Sequence, residues 1–330
     1  MRILLTGGTG FVGGHVAHRL AAAGHGVRAL TRGRDDAGVL AASGAEQVRG
    51  SLEDADSLRA AVAGVEVVVH GAGLIKARRT SEYMAVNGEG TLRLLEAAAA
   101  ARPRPRRFVL VSSLAAQGPS PDGRPLDEGA PARPVSHYGA SKLRGERIAR
   151  AFVDRMEMVV VRPPAVYGPR DRETLEFFRL AARGIRARFL GEDLRLVLVH
   201  VEDLAEGIAA AAAVPAAAGG TFHLCHPEVA TLGGVMDLMA TAVGRRGVAL
   251  SIPRPVLRAA AFASEHAASL LGRIPDLAVD KARELGALEW TADPTAARRV
   301  LGWEARIPLA QGIPSTARWY REKGWLQGGG

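Results

Sequence analysis

The 330 residues predict one large domain with a smaller lobe, and a 48% hydrophobic composition is ample for a core and excludes a disordered chain. No apolar run reaches the ~18–20 residues of a membrane span, no leader pattern precedes the first strand-like run, and the single cysteine, Cys225, leaves neither an internal disulfide nor a cysteine metal cluster, so a cytoplasmic protein is expected. The net charge of +9 is spread along a chain with 5% aromatic residues and no basic helix, which argues against nucleic acid as a partner.

In chain order, short apolar runs alternate with Ala- and Leu-rich stretches of helical period. Strands are expected over 2–5, 27–30, 65–70, 108–112 and 158–162, and helices over 12–23, 55–63, 82–101 and 138–153. That alternation, with few charges in the runs, predicts an α/β fold of Rossmann type: a doubly wound parallel sheet covered by helices on both faces. Beyond 170, helices are expected over 173–183, 203–213, 232–243 and 255–271 and a strand over 194–201. Loops fall at 117–134 and 214–220. The expected organisation is a nucleotide-binding domain over 1–169, rejoined by segments near 194–224 and 285–304. A smaller, mostly helical C-terminal substrate lobe takes 170–193, 225–284 and 305–330.

Residues 6–13 read TGGTGFVG, directly after Ile3-Leu4-Leu5. Gly7 permits a tight turn, Gly10 lets the backbone approach a pyrophosphate, and Gly13 lets helix and strand pack closely. The helix opening at Phe11 and Val12 then offers unpaired N–H groups and a positive dipole end to phosphates. The second strand ends in Thr31 and Arg32, followed by Gly33 and Arg34, where an acidic residue would bind the ribose hydroxyls of NAD. A hydroxyl and a guanidinium suit a 2′-phosphate instead, so NADP(H) is favoured and NAD(H) is the alternative.

At 138–142 the chain reads YGASK. Tyr138 and Lys142, four apart, share a helix face, and a nearby ammonium favours the phenolate of a tyrosine whose ordinary pKa is about 10. Such a tyrosine exchanges a proton with a substrate oxygen while a nicotinamide exchanges hydride with the adjoining carbon. Upstream, LVSSLAAQG places Ser113, or its neighbour Ser112, just past a strand's carboxyl end, where open α/β sheets bind ligands. His223 and His226 flank Cys225 without further ligands and read as structural, so no metal is expected.

Taken with AVNGEGT, VVHGAG, RPPAVYGPRD and HVEDLA, these motifs resemble the extended short-chain dehydrogenase/reductase family over nearly the whole chain. The resemblance implies Ser113 (rather than Ser112), Tyr138 and Lys142 as catalytic residues, with Asn87 helping to set a water and lysine relay. It lays Gly71, Ala72 and Gly73 along the cofactor, Ser51 and Leu52 of GSLED near the adenine, and Pro163 and Val166 beside the nicotinamide. The family often has Asp where Ser51 stands. The tail from Glu289 resembles the family's closing motif, which packs back on the nucleotide domain, with Trp290, Trp303 and Trp319 as packing residues. A homodimer is also implied.

Sugar-nucleotide members typically carry Asn before VYGP and Arg before the VEDLA segment; here those positions are Ala165 and Leu196, with Arg195 one register away. The apolar segment 252–277 resembles the 3β-hydroxysteroid dehydrogenase and dihydroflavonol reductase-like branch. It lines a pocket for a lipid-like or polycyclic ketone, packs within the lobe, or rests on a membrane surface beside Arg254, Arg258 and Arg273. The leading expectation is an NAD(P)-dependent oxidoreductase acting on a hydrophobic ketone or secondary alcohol. The alternatives are a sugar-nucleotide epimerase or dehydratase with tightly held NAD, and a non-catalytic cofactor-binding or assembly subunit.

Overall fold

The charge-poor runs of the first half form the middle of a seven-stranded parallel sheet, in a computed structural model that describes residues 1–33, 37–191, 193–270 and 278–326. The strands are β1 (Arg2–Thr6), β2 (Gly26–Thr31), β3 (Glu46–Arg49), β4 (Val67–His70), β5 (Arg107–Val111), β6 (Glu157–Arg162) and β7 (Ala165–Tyr167). Then come β8 (Ile185–Phe189), β9 (Arg195–His200), β10 (Thr221–His223), β11 (Val229–Thr231), β12 (Val248–Ile252) and β13 (Glu289–Trp290). The first helices are α1 (Phe11–Ala22), α2 (Ala37–Ala41), α3 (Ala55–Val62), α4 (Thr80–Tyr83), α5 (Gly90–Ala100), α6 (Leu114–Gln117) and α7 (His137–Arg150). They are followed by α8 (Glu173–Ala182), α9 (Val201–Ala213), α10 (Leu232–Ala242), α11 (Arg254–Leu270), α12 (Val279–Gly286), α13 (Thr295–Leu301) and α14 (Leu309–Glu322).

The sheet order is β10-β6-β5-β4-β1-β2-β3, so the chain reverses direction across the sheet between β1 and β4. That reversal opens a crevice at the carboxyl ends of these strands, where an open α/β sheet takes its ligand. Strand alternation explains the two covered faces: Ile3 and Leu5 pack under α1 and α9, while Leu4 joins Leu58, Leu94 and Phe108 on the opposite side. Arg107, fully buried at the start of β5, donates to the carbonyls of Ala211, Ala212, Val214 and Pro215. A cation there satisfies the open end of α9 and favours its negative dipole end.

Several expectations shift. The stretch expected as one helix over 82–101 breaks into α4, a π-helical turn at Met84–Glu89, and α5. Gly88 lies in that turn against Arg144, Gly90 opens α5 against Leu52, and the widened turn carries Asn87. RPPAVYGPRD contributes a strand that was not expected, its Ala165–Tyr167 pairing in parallel with Leu198–His200. The strand expected at 194–201 joins a second sheet, β11-β9-β13 with β7, rather than the main one. Polar β3, on the sheet edge, and the two-stranded β8–β12 ribbon were not expected as strands.

A separate apolar cluster gathers Phe178, Met236, Leu257 and Ile313 from the helices after 170. The closing segment divides: Ala297, Leu301 and Trp303 pack under the main sheet, whereas Ile313 and Tyr320 of α14 belong to the second cluster. Arg34 and 271–277, including Arg273, lie outside the described residues.

Candidate active site

The glycine loop is built for close approach. Gly7 takes φ +77°, and a β-carbon there would press on the backbone of Gly71 and Ala72, 2.7 Å away. A β-carbon at Gly13 would overlap the Gly7 carbonyl oxygen, so any side chain would push α1 off β1. Gly10 caps α1 without a side-chain hydrogen bond, and no acidic residue sits in the first turn. The helix start at Phe11 and Val12 therefore keeps its N–H groups and positive dipole end available to an anion. Gly71 and Gly73 are exposed on the facing edge. These features fit a dinucleotide's pyrophosphate.

Beneath this edge, His70 is fully enclosed. Its Nδ1 lies 2.7 Å from Thr6 Oγ1 and its Nε2 3.0 Å from Thr91 Oγ1, tying β1, β4 and α5 together. Burial, and secondarily Lys142, lowers its pKa to about 3. Because the folded ring refuses a proton that the unfolded ring accepts below about pH 6.5, stability falls as pH drops from 6.5 toward 3. A His70→Asn variant should show a shallower loss of urea midpoint over that window. The difference is at most one proton's worth, about 1.4 kcal/mol per pH unit.

On the other side of the crevice, α7 carries Tyr138 in its first turn and Lys142 one turn later. Ser136 caps this helix, its hydroxyl accepting from Gly139 N at 2.9 Å. Ser113 stands just past β5 and caps α6, its Oγ accepting from Ala115 N. Its hydroxyl is also close enough to the Tyr138 phenol to favour the phenolate. Ser112, by contrast, is buried and donates to Glu146 Oε1 at 2.6 Å, so it faces away from the phenol.

Burial pushes the Tyr138 phenol up to about 12, opposed by the Ser113 hydroxyl and assisted by the nearby Glu284 charge. The same cause brings Lys142 down to about 8, with Glu146 opposing. Lys142 Nζ donates to the Val111 carbonyl at 2.6 Å.

Gly73 sits beside both Asn87 and Lys142: a β-carbon on it would lie 2.9 Å from Asn87 Oδ1 and 3.7 Å from Lys142 Nζ. The Asn87 amide accepts from Leu74 N and donates to Leu74 O and Ser141 Oγ, so it holds the loop after β4 against α7. At the far end of the crevice, Thr31 is buried at the end of β2 and Arg32 is exposed. Ser51 Oγ accepts from Glu53 N, and Leu52 packs beside Gly90. Pro163 is buried, its carbonyl accepting from Leu114 N, and Val166 lies in β7.

Sequence reading missed three residues of this site. Asp280, on α12, accepts from the backbone N–H groups of His137 and Tyr138 at 2.7 and 3.0 Å. Glu284, one turn on, accepts from Ser136 Oγ at 2.7 Å. Two carboxylates thus hold the positive end of the helix bearing Tyr138. The third, Tyr83, places its ring 6.2 Å from that of Tyr138. Tyr83 stands four residues before Asn87, a spacing that could have flagged it. Asp280 lies 142 positions from Tyr138 with no local signal.

His223 Nε2 lies 2.7 Å from Gln117 Oε1 in the interior, and among the described residues no three His, Cys, Asp or Glu side chains group as metal ligands.

A glycine-cradled crevice at the switch point of a parallel sheet, with a serine, a tyrosine and a lysine on its rim, is the form of a short-chain dehydrogenase/reductase. The chain belongs to the NAD dependent epimerase/dehydratase family, whose model matches residues 3–225. It is 34% identical to a ceramide reductase of Caulobacter vibrioides, over 98% of this chain and 96% of that protein. It is also 33% identical to a 4-hydroxy-2-methyl-3-oxo-4-farnesyl-3,4-dihydroquinoline-1-oxide ketoreductase of Stigmatella aurantiaca, over 95% of each. Among solved structures, a short-chain dehydrogenase/reductase superfamily protein of Agrobacterium tumefaciens with bound NAD superposes with a TM-score of 0.75. Its identity is 26%, over 98% of both chains.

Proposed function

We propose that the protein is an NADP(H)-dependent reductase of a ketone carried on a hydrophobic, lipid-like molecule. The observation that supports this most is the convergence of Ser113, just past β5, with Tyr138 and Lys142, one turn apart on α7, at the rim of the glycine-lined crevice. With its pKa near 12, the Tyr138 phenol is protonated at neutral pH and ready to give a proton to a carbonyl oxygen. Ser113 orients that oxygen, and the Lys142 ammonium steadies the phenolate left behind. The nicotinamide, when bound, supplies the hydride. Asn87 keeps the loop after β4 in place against α7, and 1–169 with its returning segments serves as the cofactor domain.

Two features favour a ketone over a sugar nucleotide. Ala165 offers no polar group for a diphosphate, and Leu196 packs its side chain against the second apolar cluster. The neighbouring Arg195 is committed to Glu289 at 3.2 Å. The lipid character of the substrate rests on the ceramide and farnesyl groups named for the two relatives. By the family resemblance, the enzyme works as a homodimer.

The NADP preference rests on Thr31 and Arg32 with an added cation, Arg49. It pairs with Thr31 across β2 and β3 and sends its guanidine to 3.5 Å from where a Gly33 β-carbon would stand. Arg32→Ala should raise the Kd for NADPH about 10–100-fold, the loss of one charge-assisted contact, and change that for NADH less than threefold. Fluorescence titration of both cofactors checks this. Equal effects on the two would remove the 2′-phosphate assignment. NAD that survives purification tightly bound would favour the epimerase reading.

A further inference from the structure

Helix α11 is apolar on both sides. Its inner side buries Leu257, Ala261 and Ala268 against the lobe. Its outer side exposes Val256 at 55% and Phe262 at 69%, flanked by Pro255 and Ala259, Ala260, Ala263 and Ala267. The exposed Leu190 shares a surface hollow with Pro253, Arg254 and Pro255 at the helix start and extends the patch. A helix with apolar residues on its exposed side as well as its buried one calls for cover on both.

The charges on this face identify the cover. Arg254 and Arg258 stand among the apolar residues and form no ion pair among the described residues. The helix's one acidic residue, Glu265, is turned inward and accepts from Val279 N at 2.8 Å. An anionic bilayer offers what both residue types need: headgroup phosphates for the guanidinium groups and acyl chains for Phe262 and Val256. No described helix is long and apolar enough to cross that bilayer, so the contact is interfacial.

We infer that the exposed face of α11, with Phe262 and Val256 as apolar anchors and Arg254 and Arg258 as headgroup ligands, docks the protein on anionic lipid membranes. The inference deepens the lipid-ketone reading and rests on it for its purpose: docking brings the crevice to a substrate that resides in the bilayer.

Sedimentation of the full-length protein with vesicles tests it. The protein should pellet with vesicles of equal phosphatidylglycerol and phosphatidylcholine, far less with phosphatidylcholine alone, and less as salt rises. Phe262→Asp and Arg258→Glu should each weaken partitioning at least tenfold, Phe262→Leu should retain it, and all three variants should bind NADPH as the parent does. The inference is overturned if the parent stays in the supernatant, or if Phe262→Asp pellets equally well. It is also overturned if sedimentation velocity shows a parent dimer that Phe262→Asp dissociates, which makes the face a contact between copies. Vesicle binding by a protein that binds neither NADPH nor NADH upholds docking and removes the reductase reading instead.

Discussion

Replacing Tyr138 by Phe should lower kcat for ketone reduction about 10²–10⁴-fold, the range of a lost general acid, while NADPH affinity changes less than twofold. The substitution removes one oxygen from a half-buried ring whose neighbours are Ser113 and Tyr83, so packing is nearly unchanged. What disappears is the proton held beside Ser113. Ser113→Ala should cost less, because the phenol remains and only the oxygen's second hydrogen bond is lost. Stopped-flow hydride transfer from NADPH reads both effects directly, and full activity in Tyr138→Phe would remove the mechanism.

The second large effect is on folding. Glu146→Ala should destabilise the protein by about 3–5 kcal/mol, seen as a large drop in urea midpoint, because it strands a buried cation. Arg162 is 3% exposed and grips Glu146 with two parallel bonds, Nε to Oε1 at 2.9 Å and Nη2 to Oε2 at 2.7 Å. Ser112 completes the same carboxylate. The pair locks α7 to β6 one turn below Lys142, and the Glu146 charge favours the protonated lysine. A variant that retains enough fold to assay should therefore also show its alkaline activity limit at lower pH.

The parallel sheet was legible because strands covered on both faces carry few charges. Val67–His70 is buried throughout, and its sequence VVVH says so. Edge strand β3 was not, since EQVR is mostly exposed and its pairing with β2 is a tertiary matter. In β8, the residues IRARF alternate apolar and basic, a period-two signal that went unread. The glycine loop and the Tyr138–Lys142 spacing are local patterns with a mechanical reason, and reading them located the crevice.

The preference for Ser113 over Ser112 came from the family pattern, and the physical reason for it, the long-range partner Glu146 that takes Ser112, has no local signal. The acidic clamp of Asp280 and Glu284 on α7 is equally long-range. No spacing rule reaches across it.

The most direct test follows deuterium. The protein would be incubated with NADPH deuterated at the transferable C4 position and a long-chain ketone presented in detergent or vesicles. The prediction is loss of NADPH absorbance matched one-to-one by an alcohol carrying deuterium on the carbinol carbon, with Tyr138→Phe inactive. No transfer to the ketone, together with interconversion of UDP-glucose and UDP-galactose without net cofactor consumption, would contradict it.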